Sequence, residues 1–393
     1  MRWSYFTILL SSILLLEFCS PYSSNNNDTL GAIKVELELE LKVDSTAYYD
    51  SLFAPLQHSL DTFFNKKFKY GQFNGNVLFA KKGRIIINKS YGFTDLKNKD
   101  TLTLEHTFQL ASASKPFTAI AILQLYEKGL INLDDSINKF FPEFPYHGID
   151  IHQLLCHRSG LSQYTHFCDA PDSIWPNKNK TIFNDDVLQI ISDIVPLINY
   201  PPDKKYYYCN TNYLLLASII EKVSGMKFED YLYQNIFQPL GMNRTKVFKR
   251  DNFNELIQPA RGHVSSKLYA DNTYLNGCVG DKGIYSNVKE LFVFDRALKD
   301  NSLISEETYQ LAIKEHNEMF KVNQNYGYGF RLLHTSSKGK IVFHTGWWKG
   351  FRSYFIRIIE SDETIIILDN VKRGPFFNIE NLANLLPSNI KVN

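Results

Sequence analysis

Charge of one sign, cysteine and long apolar runs are all scarce in this chain. Among 393 residues, 43 Lys and Arg face 41 Asp and Glu, a net charge of +2. That balance implies no polyanion partner and gives no basic stripe, so no nucleic acid is expected as a partner. Five cysteines are too few to staple a chain of this length. Apart from Cys19 they are Cys156, Cys168, Cys209 and Cys278, an even set that allows two disulfides. Buried free thiols are the simpler expectation, because cysteine is among the most buried residue types and Cys209 lies inside a candidate motif. Cys156, His157, His166 and Cys168 do not match common zinc spacings, so no metal is expected there. Glycine-rich nucleotide fingerprints and internal repeats are also missing, and no cofactor is expected.

What the chain does have is apolar material for a large core, 44% hydrophobic and 14% aromatic. Arg2 precedes an uncharged, mostly apolar run from Trp3 to Leu16, too short to span a bilayer but fitting the core of an export signal. Residues 1–19 are therefore predicted to be a signal peptide, and the chain to be exported to the cell envelope or periplasm. Leu16-Glu17-Phe18-Cys19 is a degenerate form of the box that precedes a lipid-bearing cysteine. Lipid attachment at Cys19 is expected, with a plain cleaved signal or an uncleaved anchor as the alternatives. Contact with a membrane is expected through this segment alone.

Residues 20–44 read as a Ser-, Asn- and Pro-rich tether followed by a strand in which Ile33, Val35, Leu37, Leu39, Leu41 and Val43 alternate with charged residues. Apolar spacing predicts a helix over Tyr49–Phe68, and Asn76–Gly92 predicts a hairpin turning at Gly83. Helical patterns dominate the middle, starting at Ser112 and including Tyr213–Val223 and Phe228–Gln238. A further helix near Val288–Lys299 precedes strand-like runs at Tyr328–Leu333, Lys340–His344, Phe351–Ile359 and Thr364–Leu368. Strands at both ends with helices between them predict an α+β fold. The expected division is a sheet domain from residues 45–110 plus 280–393, with a mainly helical domain, 111–279, inserted.

Ser-x-x-Lys occurs at Ser112, Ser136, Ser224, Ser286, Ser337 and Ser388. Ser112-Ala113-Ser114-Lys115 alone opens a strongly helical stretch, where Pro116 fits the first turn. A serine hydroxyl needs a base within reach, and a residue three positions along a helix shares its face. Free N–H groups at a helix start also favour negative charge on an attacked carbonyl. Tyr-x-Asn recurs at Tyr208, Tyr233, Tyr274 and Tyr285, so Tyr208-Cys209-Asn210 says little by itself, whereas His344-Thr345-Gly346 is the chain's one His-x-Gly. Together the three motifs point to serine acyl transfer.

The order Ser-x-x-Lys, Tyr-x-Asn, His-Thr-Gly resembles the penicillin-recognising serine enzymes. It is nearest to the class C β-lactamase-related branch, which holds D-alanyl-D-alanine carboxypeptidases, D-aminopeptidases and esterases. Phe108-Gln109-Leu110-Ala111, Leu154 to Leu161, Pro239-Leu240-Gly241-Met242 and Gly280-Asp281-Lys282-Gly283 extend the match across about Phe73 to Ile367. The resemblance implies a β-lactamase/transpeptidase-like fold, an antiparallel sheet flanked by helices. It makes Ser112 the nucleophile, Lys115 the general base and Tyr208 the proton shuttle, with the division between Lys115 and Tyr208 left open. Asn210, His344, Thr345, Gly346 and Trp347 would bind substrate, with the N–H groups of Ser112 and Trp347 forming the oxyanion hole. Asp281-Lys282-Gly283 is read as shaping a turn. Lactamases usually carry lysine where His344 stands, so a peptide or small-molecule amide or ester is expected as substrate rather than a β-lactam. A non-catalytic envelope protein that binds such ligands, and a true β-lactamase, are the alternatives.

Overall fold

The β-branched and aromatic runs at the two ends of the chain meet in one sheet. The computed structural model describes residues 53–169, 174–175, 177–249, 254–318 and 323–387. The predicted signal peptide with Cys19, the tether and strand at 20–44, and Ser388 lie outside the described residues. Helix α1 (Ala54–Lys69), with Pro55 in its first turn and Lys66, Lys67 and Lys69 in its last, precedes a hairpin of β1 (Gly75–Lys81) and β2 (Arg84–Tyr91). Three short strands, β3 (Phe108–Gln109), β4 (Lys246–Val247) and β5 (Ile284–Ser286), pair in the order β3–β5–β4. The C-terminal part supplies β6 (Gln324–Tyr326), β7 (Arg331–Thr335), β8 (Gly339–Trp348), β9 (Phe351–Ile358) and β10 (Glu363–Asp369). They join the hairpin in a seven-stranded antiparallel sheet of order β6–β7–β8–β9–β10–β1–β2.

Both faces of this sheet are covered, which is why its central strands read as unbroken apolar runs rather than as alternation. Val77, Phe79, Ile365 and Ile367 pack on one face with Leu60 and Phe64 of α1. Leu78, Ala80, Ile366 and Leu368 pack on the other, into the helical body. Each of the Val, Leu, Ile and Phe side chains among them contributes about 1.5–3 kcal/mol on burial.

At the centre of that body lies α2 (Lys115–Glu127), buried from Lys115 to Leu125. It shows apolar character all round, as a helix with no solvent face must. Gly129, with φ 68°, follows its end. It packs on α3 (Asn210–Ser224), closed by Gly225 at φ 70°, and α4 (Val288–Lys299) starts from an Asn287 cap. Several boundaries differ from expectation. The helix predicted from Tyr213 begins at Asn210, and the one predicted over Phe228–Gln238 runs α-helical to Leu232 before widening into a π-type turn, Tyr233–Phe237. The run predicted from Tyr328 becomes strand only at Arg331. There Gly329 turns at φ 81° and presses so close to α2 that a Cβ would lie 2.6 Å from that of Ala119.

Candidate active site

Ser112 sits in a single 3₁₀ turn, Ala111–Ser114, that feeds directly into α2, rather than on the α-helix itself. Ala111 is held at φ 49°, a left-handed conformation that costs an alanine about 1–2 kcal/mol. Ser112 is half-buried, while Lys115 beneath it is fully buried. The Lys115 Nζ lies 3.1 Å from Ser112 Oγ, 2.9 Å from Asn210 Oδ1 and 2.9 Å from the Asp281 carbonyl oxygen. Asn210 Oδ1 and the Asp281 oxygen can only accept, so they take two N–H groups of the amine. The third tetrahedral position then points at Ser112 Oγ. In the ammonium form it carries a proton, and in the neutral amine a lone pair able to receive the serine proton. No described decoy has such a neighbour. Ser136 caps the helix Ile137–Phe140, Ser224 bonds back to the Ile220 carbonyl, Ser286 meets Thr245, and Ser337 meets Asn384.

Tyr208 and Asn210 straddle the start of α3. The Gln163 side chain clamps the pair, its Nε2 donating to the Tyr208 carbonyl at 2.8 Å and its Oε1 accepting the Asn210 N–H at 2.8 Å. The Tyr208 ring lies 4.9 Å from Lys115 Nζ and 4.8 Å from the guanidinium carbon of Arg331, with the His157 ring 4.4 Å away. His157 Nδ1 accepts the Cys209 N–H at 3.2 Å. Burial, then Lys115, Arg331 and His344, hold its pKa well below the usual histidine range, so the ring is neutral. All four described cysteines are buried and free.

His344, Thr345 and Gly346 stand within one continuous strand, β8, that runs on to Trp348 instead of ending at His344. His344 is fully buried. Its Nδ1 lies 2.8 Å from the Thr345 carbonyl, which can only accept, so Nδ1 carries the proton and Nε2 accepts from the Tyr326 hydroxyl at 3.1 Å. Burial, then Arg331 and Lys115, push its pKa well below the usual range. His344 is thus a neutral wall behind Tyr208, with both ring nitrogens occupied.

Gly346 lets β8 pass the nucleophile's turn. A Cβ there would lie 2.0 Å from the Leu110 carbonyl oxygen and 2.4 Å from Ser353 Oγ. Pairing with β7 stops at Phe343, so His344 to Trp348 have a strand neighbour, β9, on one side alone. No strand pairs with the other edge of this stretch among the described residues.

Side chains alternate along a strand, so Trp347 and Trp348 leave β8 on opposite faces. Trp348 turns toward the helical body, donating to Asn276 Oδ1 at 2.7 Å. Trp347, 53% exposed, turns to the other side, with Phe376 at 6.4 Å. Beyond them opens a cavity of about 800 Å³ lined by Trp347, Trp348, Tyr274, Asp169, Lys178 and Asn272. Ser112 and Tyr208 do not line it; it lies past the end of the strand that carries Gly346.

Sequence reasoning missed Gln163 and Arg331, and it read Asp281 only as part of a turn. Gln163 lies two residues beyond the Leu154-to-Leu161 stretch, so its nearness to a motif was the available signal. Asp281 acts on Lys115 through its main-chain carbonyl, which no residue pattern announces.

A serine facing a buried lysine amine, and a phenol over that amine, set between a helical body and a seven-stranded antiparallel sheet, define a β-lactamase/transpeptidase-like serine hydrolase fold. The chain belongs to the Beta-lactamase family, whose model matches residues 54–387. It is 36% identical over 324 residues to penicillin-binding protein 4* of Bacillus subtilis (strain 168), covering 79% of this chain and 71% of that protein. The octameric penicillin-binding protein homologue from Pyrococcus abyssi superposes with a TM-score of 0.70 at 25% identity, covering 80% of this chain and 73% of that one. D-amino acid amidase from Ochrobactrum anthropi SV3 also superposes at 0.70, with 24% identity over 82% of this chain and 93% of its own, a likeness of fold.

Proposed function

We propose that this chain is a serine hydrolase that opens an amide or ester bond through an acyl-enzyme on Ser112. The observation that carries the proposal is the tripod at Lys115 Nζ, two of whose three partners are fixed acceptors and the third Ser112 Oγ. In acylation Ser112 Oγ bonds to the substrate carbonyl carbon as its proton passes to Lys115. The tetrahedral oxyanion rests on the N–H groups of Ser112 and Trp347. Tyr208, facing Lys115, returns the proton to the departing amine or alcohol as the scissile bond breaks. Water then attacks the acyl carbon, the Oγ–C bond breaks, and a water proton restores the serine. Asn210 Oδ1 is engaged by Lys115, which leaves the Asn210 amide N–H groups to meet a substrate carbonyl.

A peptidase- or esterase-like substrate fits better than a β-lactam, because the neutral His344 occupies the place where lactamases carry a cation. The fold shared with a D-amino acid amidase accommodates amide chemistry of this kind. Export through residues 1–19 and attachment at Cys19 are part of this reading. A fluorophosphonate probe followed by intact-protein mass spectrometry should add one label, absent in Ser112→Ala. A label that survives in that variant rejects the assignment. A panel of D-amino-acid amides, D-Ala-D-Ala peptides, short esters and nitrocefin then ranks the substrates, and fastest turnover of nitrocefin would overturn the preference for peptidase or esterase chemistry.

A further inference from the structure

Behind Lys115 lies a second set of buried polar groups that the proposed acyl transfer does not use. Tyr164, Asp281 and Lys282 are all buried, with Tyr164 fully so. The Lys282 ammonium donates to the Tyr164 hydroxyl, which in turn donates to both Asp281 carboxylate oxygens at 3.1 and 3.2 Å. Lys282 Nζ also lies 3.5 Å from Asp281 Oδ1 and 3.4 Å from the Cys278 carbonyl. One positive and one negative charge thus balance inside the protein, joined by a phenol. Burial, then Asp281, raise the Tyr164 pKa well above the ordinary value, so the phenol stays a donor.

Each member is tied to a different part of the candidate site. The Asp281 main-chain oxygen is one of the two fixed acceptors on Lys115, and the adjoining Gly280 carbonyl accepts from Thr118 one turn along α2. The Tyr164 N–H donates to Thr211 Oγ1, next to Asn210, at 2.8 Å. The Lys282 ammonium sits 5.2 Å from the Trp348 ring on β8. The cluster therefore joins the elements carrying Lys115, Asn210 and Gly346.

We propose that Tyr164, Asp281 and Lys282 form a buried, charge-balanced positioning unit that fixes the Asp281 carbonyl against Lys115 and so aims the Lys115 amine at Ser112. The proposal rests on the acyl-transfer reading given above. Removing one charge leaves the other uncompensated next to Lys115. The remaining groups around Lys115 do not absorb that change: His157 and His344 are neutral, Tyr208 and Tyr213 lie at 4.9 and 5.5 Å, and Arg331 is a permanent cation. The Cys209 thiol near Lys115, and the Cys168 and Cys278 thiols near Lys282, are pushed up by burial and stay protonated.

The two single variants consequently act in opposite directions. Asp281→Asn leaves the Lys282 cation unbalanced, which favours the neutral amine at Lys115, so the acid limb of the acylation rate against pH moves down. Lys282→Met leaves the Asp281 carboxylate unbalanced and moves that limb up, each by on the order of one pH unit. The double variant brings the limb back toward the wild-type position while the rate stays lower, because the tie through Tyr164 is lost. The experiment is fluorophosphonate labelling of the full chain from pH 5 to 10, with rates normalised to the fraction that labels. Tyr164→Phe, which alters no charge, serves as the variant that lowers the rate without moving the limb. Limbs that stay in place, or move in the same direction in both single variants, overturn the proposal. Wild-type protein that takes up no label at Ser112 instead overturns the acyl-transfer reading itself.

Discussion

Gly346→Ala tests the closeness on which the candidate site depends. Its Cβ would stand 2.0 Å from the Leu110 carbonyl oxygen, and since real Cβ contacts stay beyond 3.0 Å, strand β8 and the Ser112 turn must part by about 1 Å. The obstacle is main chain, so no rotamer change removes it. Overpacking of this kind costs about 1–3 kcal/mol of stability. The kinetic cost is larger, because a displacement of about 1 Å at a reacting centre lowers a rate on the order of 100-fold. The expectation is a variant that melts about 1–4 °C lower, as roughly 1.2 °C per kcal/mol implies for a chain of this size, yet acylates some 100-fold more slowly. Labelling rates at a temperature well below both melting points separate the two effects. Ser353→Ala supplies a control: it removes the Oγ at 2.4 Å but leaves the Leu110 oxygen, so it should not rescue Gly346→Ala. Acylation by Gly346→Ala within about threefold of wild type would refute the reasoning that Ser112 and the β8 edge act as one rigid site.

Lys115→Met should lower Ser112 labelling by about 100- to 10,000-fold, the usual contribution of a positioned base, and an unchanged rate would remove the lysine from the mechanism. Acid should destabilise the fold through its buried histidines. His157 and His344 have folded pKa values well below that of the unfolded chain, so below about pH 6.5 the unfolded state binds protons that the native state does not. Stability is therefore lost as pH falls below that point, by about 1.4 kcal/mol per pH unit for each ring. Urea unfolding of His344→Gln between pH 7 and 5 should show a shallower loss than wild type, and parallel slopes would show that this ring does not contribute. Finally, burial pushes the Cys209 thiol up to about 11 and Cys168 up to about 12, and it raises Cys156 and Cys278 as well. Iodoacetamide at pH 8 followed by peptide mapping should leave these four unmodified in the folded protein, and rapid native labelling of any one would contradict its burial.

The sheet and the central helices were legible because their signals are local. Ile365, Ile366 and Ile367 read as strand in any context, and the stretch from Ser112 to Lys128, stopped by Gly129, reads as helix. Ser112 stood out among six equal tetrapeptides only through where it lay relative to Tyr208 and His344. The support around it was not legible, since Gln163, Asp281 and Arg331 arrive from separate segments and touch the motifs after folding. Trp347 illustrates a finer limit. With the strand expected over Lys340–His344, no alternation could be followed into the two indoles. Once the strand runs through Trp348, alternation alone sends them to opposite faces.

The charges around the candidate site have a consequence for substrate preference. Lys115 and Arg331 both face Tyr208, and the Asp281 carboxylate is engaged by Lys282 and Tyr164. His157 and His344, which would add charge if protonated, are held neutral by burial and by those same cations. Arg331 is a permanent cation, so the candidate site carries positive charge whichever form Lys115 takes. A neutral ester or amide meets the field of that charge weakly, and its developing oxyanion meets it strongly, so the field acts on the barrier. A substrate carrying a carboxylate beside the scissile bond is attracted equally in the ground state and the transition state. For such a substrate the field lowers KM and adds little to kcat. Comparing a D-amino-acid amide with the corresponding peptide that ends in a free carboxylate should thus show the difference mainly in KM. The KM advantage of the charged substrate should also shrink with added salt, because the half-buried Ser112 and Tyr208 leave the cleft mouth in contact with solvent ions.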